Sequence, residues 1–108
     1  MDRREVARFD LSAPVHYTWK VAGAQADGQG KTRDISLLGI FVITDACPSK
    51  GSGVRLNVLL RSGPGDSNIV LRATATVVRV EFPEDSDGVR GFAAMTENYV
   101  LETSPVIQ

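Results

Sequence analysis

Arg3, Arg4 and Arg8, and then Asp34, Ser36 and Gly39, are the residues of this 108-residue chain whose types and spacing suit ligand chemistry. A guanidinium holds phosphate oxygens, or the O6/N7 edge of guanine, through paired N–H donors. A carboxylate such as that of Asp34 accepts from guanine's N–H groups, and a hydroxyl such as that of Ser36 satisfies a remaining polar atom. A glycine lets a ligand approach the backbone where a Cβ would collide. Arg4 and Arg8 are four apart, so they share a face on a helix or on a strand. On a strand Asp34 and Ser36 share one face, with Ile35 on the other. Arginines that converge make a site that is incomplete without an anion. The parts therefore suit an anionic guanine nucleotide. Each stretch also has a plainer reading: a solvated basic terminus for the first, and a turn capped by Asp and Ser and ended by Gly for the second.

The rest of the chain must position these groups. Its length argues for one domain, long enough to bury a core without a metal or disulfide. Composition is that of an ordinary globular domain, 43% hydrophobic and 23% charged. A net charge of −1 argues against a general nucleic-acid binder, which needs a surplus of positive charge. Nine of the twelve basic residues are arginine, the side chain suited to bidentate contacts. One cysteine, Cys47, and one histidine, His16, can build neither a disulfide framework nor a metal centre. No apolar run nears the ~20 residues of a membrane helix, and no signal-peptide pattern follows Met1. The expectation is a cytoplasmic protein with no membrane insertion.

The pattern along the chain is one of short strands broken by turns. Val15 to Val21 alternates, with Val15, Tyr17, Trp19 and Val21 toward a core. Gly23 to Gly30 reads as a polar, glycine-rich connection, and Lys31 to Ile35 as the strand pairing back. Further strands are expected at Gly39 to Thr44, Val54 to Leu60, Ile69 to Phe82 and Val89 to Ala94, with Tyr17, Trp19 and Phe41 as core aromatics. Arg61 to Asn68 and Pro83 to Gly88 read as loops. Six such strands predict an all-β fold, a small six-stranded antiparallel barrel. A short C-terminal helix is expected over Met95 to Glu102, with Met95, Tyr99 and Leu101 packing on the barrel. The domain then divides into an N-terminal arginine segment (1–10), the barrel (11–94) and a C-terminal helix and tail (95–108). Pro14 to Arg33 has the length and alternation of one hairpin, which could bring the two motif stretches together.

Arg4-Glu5-Val6-Ala7-Arg8 and Asp34-Ile35-Ser36-Leu37-Leu38-Gly39 together resemble the signature of the PilZ domain, the bacterial receptor module for cyclic dimeric GMP (cyclic di-GMP). Arg3 matches its common doubled arginine. Gly39 to Val42 resembles the family's strand after the motif, and Val89 to Phe92 its closing strand. The resemblance implies that Arg4 and Arg8 contact guanine edges and phosphates, with Arg3 adding a phosphate or stacking contact. It implies that Asp34 accepts from guanine, that Ser36 hydrogen-bonds the ligand and that Gly39 allows its approach. Some relatives carry a stacking Trp in the late strand. The matching place here is near Val78 or Arg79, and Arg79 is either a stacking guanidinium or an outward residue of an alternating strand.

The expected function is a cyclic di-GMP receptor with no other cofactor. It signals to an unidentified downstream protein when the ligand orders the arginine segment, as a monomer or a ligand-dependent dimer. The alternative is a ligand-independent adaptor of the same fold. No nucleophile–base pair accompanies His16, so no enzyme is expected. Cys47 reads as a bystander thiol and Glu84 to Gly88 as a solvated acidic turn.

Overall fold

The computed structural model describes residues 8–9, 12–36, 38–61, 67–83 and 88–105. Arg3 and Arg4, most of the loop around Gly63 to Asp66, and the acidic turn at Glu84 to Asp87 lie outside the described residues. Among the described residues seven strands follow one another: β1 (Arg8–Phe9), β2 (Pro14–Val21), β3 (Ala24–Ser36), β4 (Gly39–Ile43), β5 (Gly53–Arg61), β6 (Ser67–Glu81) and β7 (Gly91–Pro105). All pairings are antiparallel. Strands β3, β2, β5, β6, β7 and β4 pair in that order, and the β3–β4 pairing closes them into a six-stranded barrel. The short β1 is added to the end of β3, with Arg8 opposite Ser36 and Phe9 opposite Ile35.

Alternating apolar residues fill the interior. Val15, Tyr17, Val42, Leu56, Val58, Val77 and Phe92 are all buried in one cluster. Tyr17 stacks on Trp19 with ring centroids 5.5 Å apart and meets Phe92 edge-on at 5.1 Å, arrangements aromatic rings prefer over a face-to-face sandwich. Val21 was expected in this core but is 54% exposed. It is the last residue of β2 before the Ala22-Gly23 turn, where φ values of 51° and 84° match the left-handed pair of a tight hairpin.

Two further expectations fail. The glycine-rich stretch from Gly23 to Gly30 is not a connection, because β3 begins at Ala24 and runs through it. Gly28 lies opposite Tyr17 in the register, and a Cβ there would sit 2.6 Å from the Tyr17 hydroxyl. A Cβ at Gly30 would collide with the Ile43 carbonyl oxygen. These glycines make room for a ring and a neighbouring strand. Met95 to Glu102 is strand, not helix, as part of β7. β6 is equally long and offers a partner for every residue from Tyr99 to Pro105. A lone eight-residue helix would be marginal without packing, whereas Tyr99, Val100, Leu101 and Thr103 favour strand. Met95, Tyr99 and Leu101 accordingly remain exposed rather than packed on the barrel. Among the described residues no helix is long and apolar enough to cross a membrane.

Candidate ligand site

Strand register collects four of the predicted site residues, Asp34, Ser36, Gly39 and Arg79, on the outer face of β3, β4 and β6. Asp34 lies opposite Phe41, Phe41 opposite Ala93, and Ala93 opposite Arg79. Directly opposed residues project from the same face, so these four form one row across four strands. The neighbouring row begins with Arg8, paired to Ser36 through the backbone, and continues from Gly39 to Met95.

Two bulges make the row. Thr32 faces inward and is 1% exposed, so strict alternation would turn Asp34 inward as well. The register shifts between Thr32 and Asp34. The extra residue, Arg33, lets Asp34 face out and Ile35 face in. The same happens on β6, where Val77 is buried and the register shifts between Val77 and Arg79. Val78 is the extra residue, so Val78 and Arg79 both face outward and Val80 returns to the core. Bulges re-aim side chains in this way at functional sites.

The result is an open trough of about 290 Å³ lined by Arg33, Asp34, Ser36, Leu38, Gly39, Phe41, Val78, Arg79, Ala93 and Met95. Small residues, Gly39 and Ala93, form its floor. Leu38, Val78 and Met95 stand around it with large exposed apolar side chains. A larger groove of about 580 Å³ is lined in part by Thr18, Trp19, Arg55 and Glu97. It contains none of the predicted residues, so volume alone would point to the wrong place for them.

Phe41 is buried as expected, 3% exposed, but it stands apart from the main cluster inside the barrel. It lies on the outer face in the row between Asp34 and Ala93, and its ring is roofed by the Arg33 guanidinium, 3.8 Å from the ring centroid. Gly91 makes space for it: a Cβ there would sit 2.8 Å from Phe41 Cε1. Arg33 Nε donates to Asp34 Oδ2 at 3.2 Å, and Arg33 Nη1 is 4.0 Å from Glu81 Oε1. The other Glu81 oxygen accepts from Arg79 Nε at 2.8 Å. A chain of alternating charge, Asp34–Arg33–Glu81–Arg79, therefore borders the trough. Arg33 and Glu81 were not among the predicted residues. Adjacency to Asp34 was a signal for Arg33, but nothing in the spacing pointed to Glu81.

Ser36 and Gly39 have structural duties of their own. Ser36 Oγ accepts from the backbone N–H groups of Leu38 and Gly39, each at 3.2 Å, and donates to the Gly39 carbonyl at a long 3.4 Å. The hydroxyl thus shapes the turn between β3 and β4. A Cβ on Gly39 would lie 2.8 Å from the Ala94 carbonyl oxygen of β7. Its missing side chain serves strand packing as well as access. Arg79 is an outward residue at the end of the row, and its side chain is 55% exposed. Arg8 has its backbone beside Ser36, while Arg3 and Arg4 lie outside the described residues. His16 is half-exposed, with Nε2 3.4 Å from Asp27 Oδ2. Among the described residues no group of three His, Cys, Asp or Glu could hold a metal ion.

The family model described as PilZ domain matches residues 2–99. No curated protein matches the chain by sequence. Among solved structures, the chain is similar to Bacillus subtilis inhibitor of motility (MotI/DgrA), with a TM-score of 0.69 over 93% of this chain at 18% identity. The match covers 45% of that chain, so this chain spans less than half the length of its structural neighbour.

Proposed function

The chain belongs to the PilZ domain family, a family of cyclic di-GMP receptor modules, and on that premise we propose that it is itself a receptor for cyclic di-GMP. The observation that carries this reading is the single row of Asp34 and Arg79 beside Ser36, Gly39 and the backbone of Arg8. Asp34 accepts from the N1–H and N2–H groups of a guanine lying in the trough. Leu38, Val78 and Met95 offer apolar surface to the base, and Arg79 reaches a phosphate or stacks its guanidinium plane on the base. At about 290 Å³ the trough is smaller than most pockets that enclose a small molecule, roughly 300–1,000 Å³. A cyclic dinucleotide must rise out of it. The groups that meet it above the rim are Arg3, Arg4 and Arg8, which contact phosphates and guanine edges and draw the segment preceding β1 toward the trough. That movement changes the surface offered to a downstream protein, an order–disorder type of switch. The role is that of a cytoplasmic binding module rather than an enzyme.

Calorimetric titration with cyclic di-GMP tests this directly. Saturable heat at micromolar ligand is expected, and Arg4→Ala or Arg8→Ala should weaken it severely. Absence of heat at tens of micromolar ligand would remove the receptor reading and leave a ligand-independent adaptor of the same fold. Equal binding by both variants would place the ligand elsewhere.

A further inference from the structure

We propose that Glu81 sets the affinity of the trough by acting as its resident counter-ion, a carboxylate that occupies the arginines until an anionic ligand displaces it. The proposal rests on the reading of the trough as an anion-binding site. Glu81 is the last residue of β6, two positions after Arg79 and therefore on the same outward face. Its partner in the register is Gly91, whose missing side chain leaves room for the Phe41 ring that Arg33 roofs, so Glu81 borders the trough through its two arginines. Its two oxygens serve two guanidiniums from different strands, Oε2 accepting from Arg79 Nε at 2.8 Å and Oε1 lying 4.0 Å from Arg33 Nη1. The Glu81 side chain is only 17% exposed, whereas those of Arg33 and Arg79 are 37% and 55% exposed.

That geometry has a consequence for binding. A phosphate that approaches Arg79 meets a donor already engaged by the Glu81 carboxylate, and at Arg33 it meets a negative charge already in place. It must take over the Arg79 donor and bear the repulsion of Glu81, so the resident charge lowers affinity. The penalty is electrostatic and must weaken with salt. The arrangement also gives release a driving force, because Glu81 re-engages both arginines when the anion leaves.

The test compares wild type with Glu81→Gln, which keeps the size and removes the charge. Glu102→Gln controls for net charge, since Glu102 pairs with Arg72 far along the β6–β7 ladder. Two probes are titrated, cyclic di-GMP by calorimetry and inorganic pyrophosphate by NMR of the Arg33 and Arg79 Nε–H signals. Glu81→Gln should bind both roughly three- to tenfold tighter at low salt, with the gain shrinking at high salt, while Glu102→Gln behaves as wild type. Melting temperatures measured alongside show whether the barrel is intact. Unchanged or weaker binding of both probes by a folded Glu81→Gln overturns the proposal, and weaker binding would make Glu81 a support that positions Arg79. Tighter pyrophosphate binding with no response to cyclic di-GMP in any protein would keep the counter-ion role and defeat the receptor reading.

Discussion

Asp34 carries the most demanding part of the proposed recognition, because a carboxylate with a 17% exposed side chain must satisfy two guanine N–H donors. Asp34→Ala should weaken cyclic di-GMP binding by about 2–5 kcal/mol, the usual cost of removing one partner of a desolvated charged contact. Arg79→Ala should cost less, about 1 kcal/mol, because that guanidinium is half-exposed and water competes for it. Calorimetry on both variants would rank them, and a larger loss for Arg79 would mean that the ligand leans on β6 rather than β3. Gly39 separates packing from access. Gly39→Ala puts a Cβ 2.8 Å from the Ala94 carbonyl, so β4 and β7 must shift, at a cost of about 1–3 kcal/mol. Urea unfolding should show that loss without any ligand, and unaltered stability would return Gly39 to a purely ligand-related role. At this scale the motif residues were legible because their chemistry is carried by residue type. Arg33 and Glu81 were less so, since their importance lies in a contact between β3 and β6 that no local spacing records.

The elements divide along the same line. β2 and β5 were readable because Val15-Tyr17 and Val54-Leu56-Val58 alternate without interruption, and β4 because Ile40 to Ile43 is a run of β-branched and aromatic residues. β3 was obscured because Gly28 and Gly30 carry the local signals of a loop, while their cause is a tertiary one: the Tyr17 ring and the backbone of β4 occupy the space of their side chains. The end of β7 was hidden because Tyr99 to Pro105 pair with Ala73 to Ser67, the opening half of the preceding strand β6, which supplies the ladder that propensity alone cannot. Bulges at Arg33 and Val78 left no sequence signal, although they decide that Asp34 and Arg79 face the same trough. Gly28→Ala tests the tertiary account of β3. Its Cβ would sit 2.6 Å from the Tyr17 hydroxyl, forcing the ring off its partners and costing about 1–3 kcal/mol. Alanine is the better strand and helix former of the two, so a Gly28→Ala barrel as stable as wild type in urea would show that the ring is not held against this strand.

For the whole molecule, closure around a buried tyrosine gives stability a dependence on alkaline pH. The Tyr17 side chain is 0% exposed. Its hydroxyl lies 2.8 Å from Thr44 Oγ1 and also reaches the Ala46 carbonyl. Thr44 Oγ1 in turn donates to the Gln29 carbonyl and accepts from the Ala46 N–H. One hydroxyl pair thus ties β2, β3 and the segment after β4 together on the inside of the barrel. Burial raises the Tyr17 pKa above its ordinary 10.0, partly offset by the hydrogen bond to Thr44. Burial likewise raises that of Cys47 above 9.0, against the pull of Arg90. In both cases the folded chain favours the neutral form. The stabilisation is complete below the unfolded values, and it is lost as pH rises past them toward the folded values, because the unfolded chain ionises first. Urea unfolding should therefore give constant contributions from these groups up to about pH 8, a first decline near pH 9 and a steeper one above pH 10. Tyr17→Phe should cost about 1 kcal/mol at pH 7 through the lost hydrogen bond and flatten the decline above pH 10, leaving the earlier one due to Cys47. If Tyr17→Phe kept the full alkaline slope, the titrating group would lie elsewhere, and the barrel would not be organised around this hydroxyl.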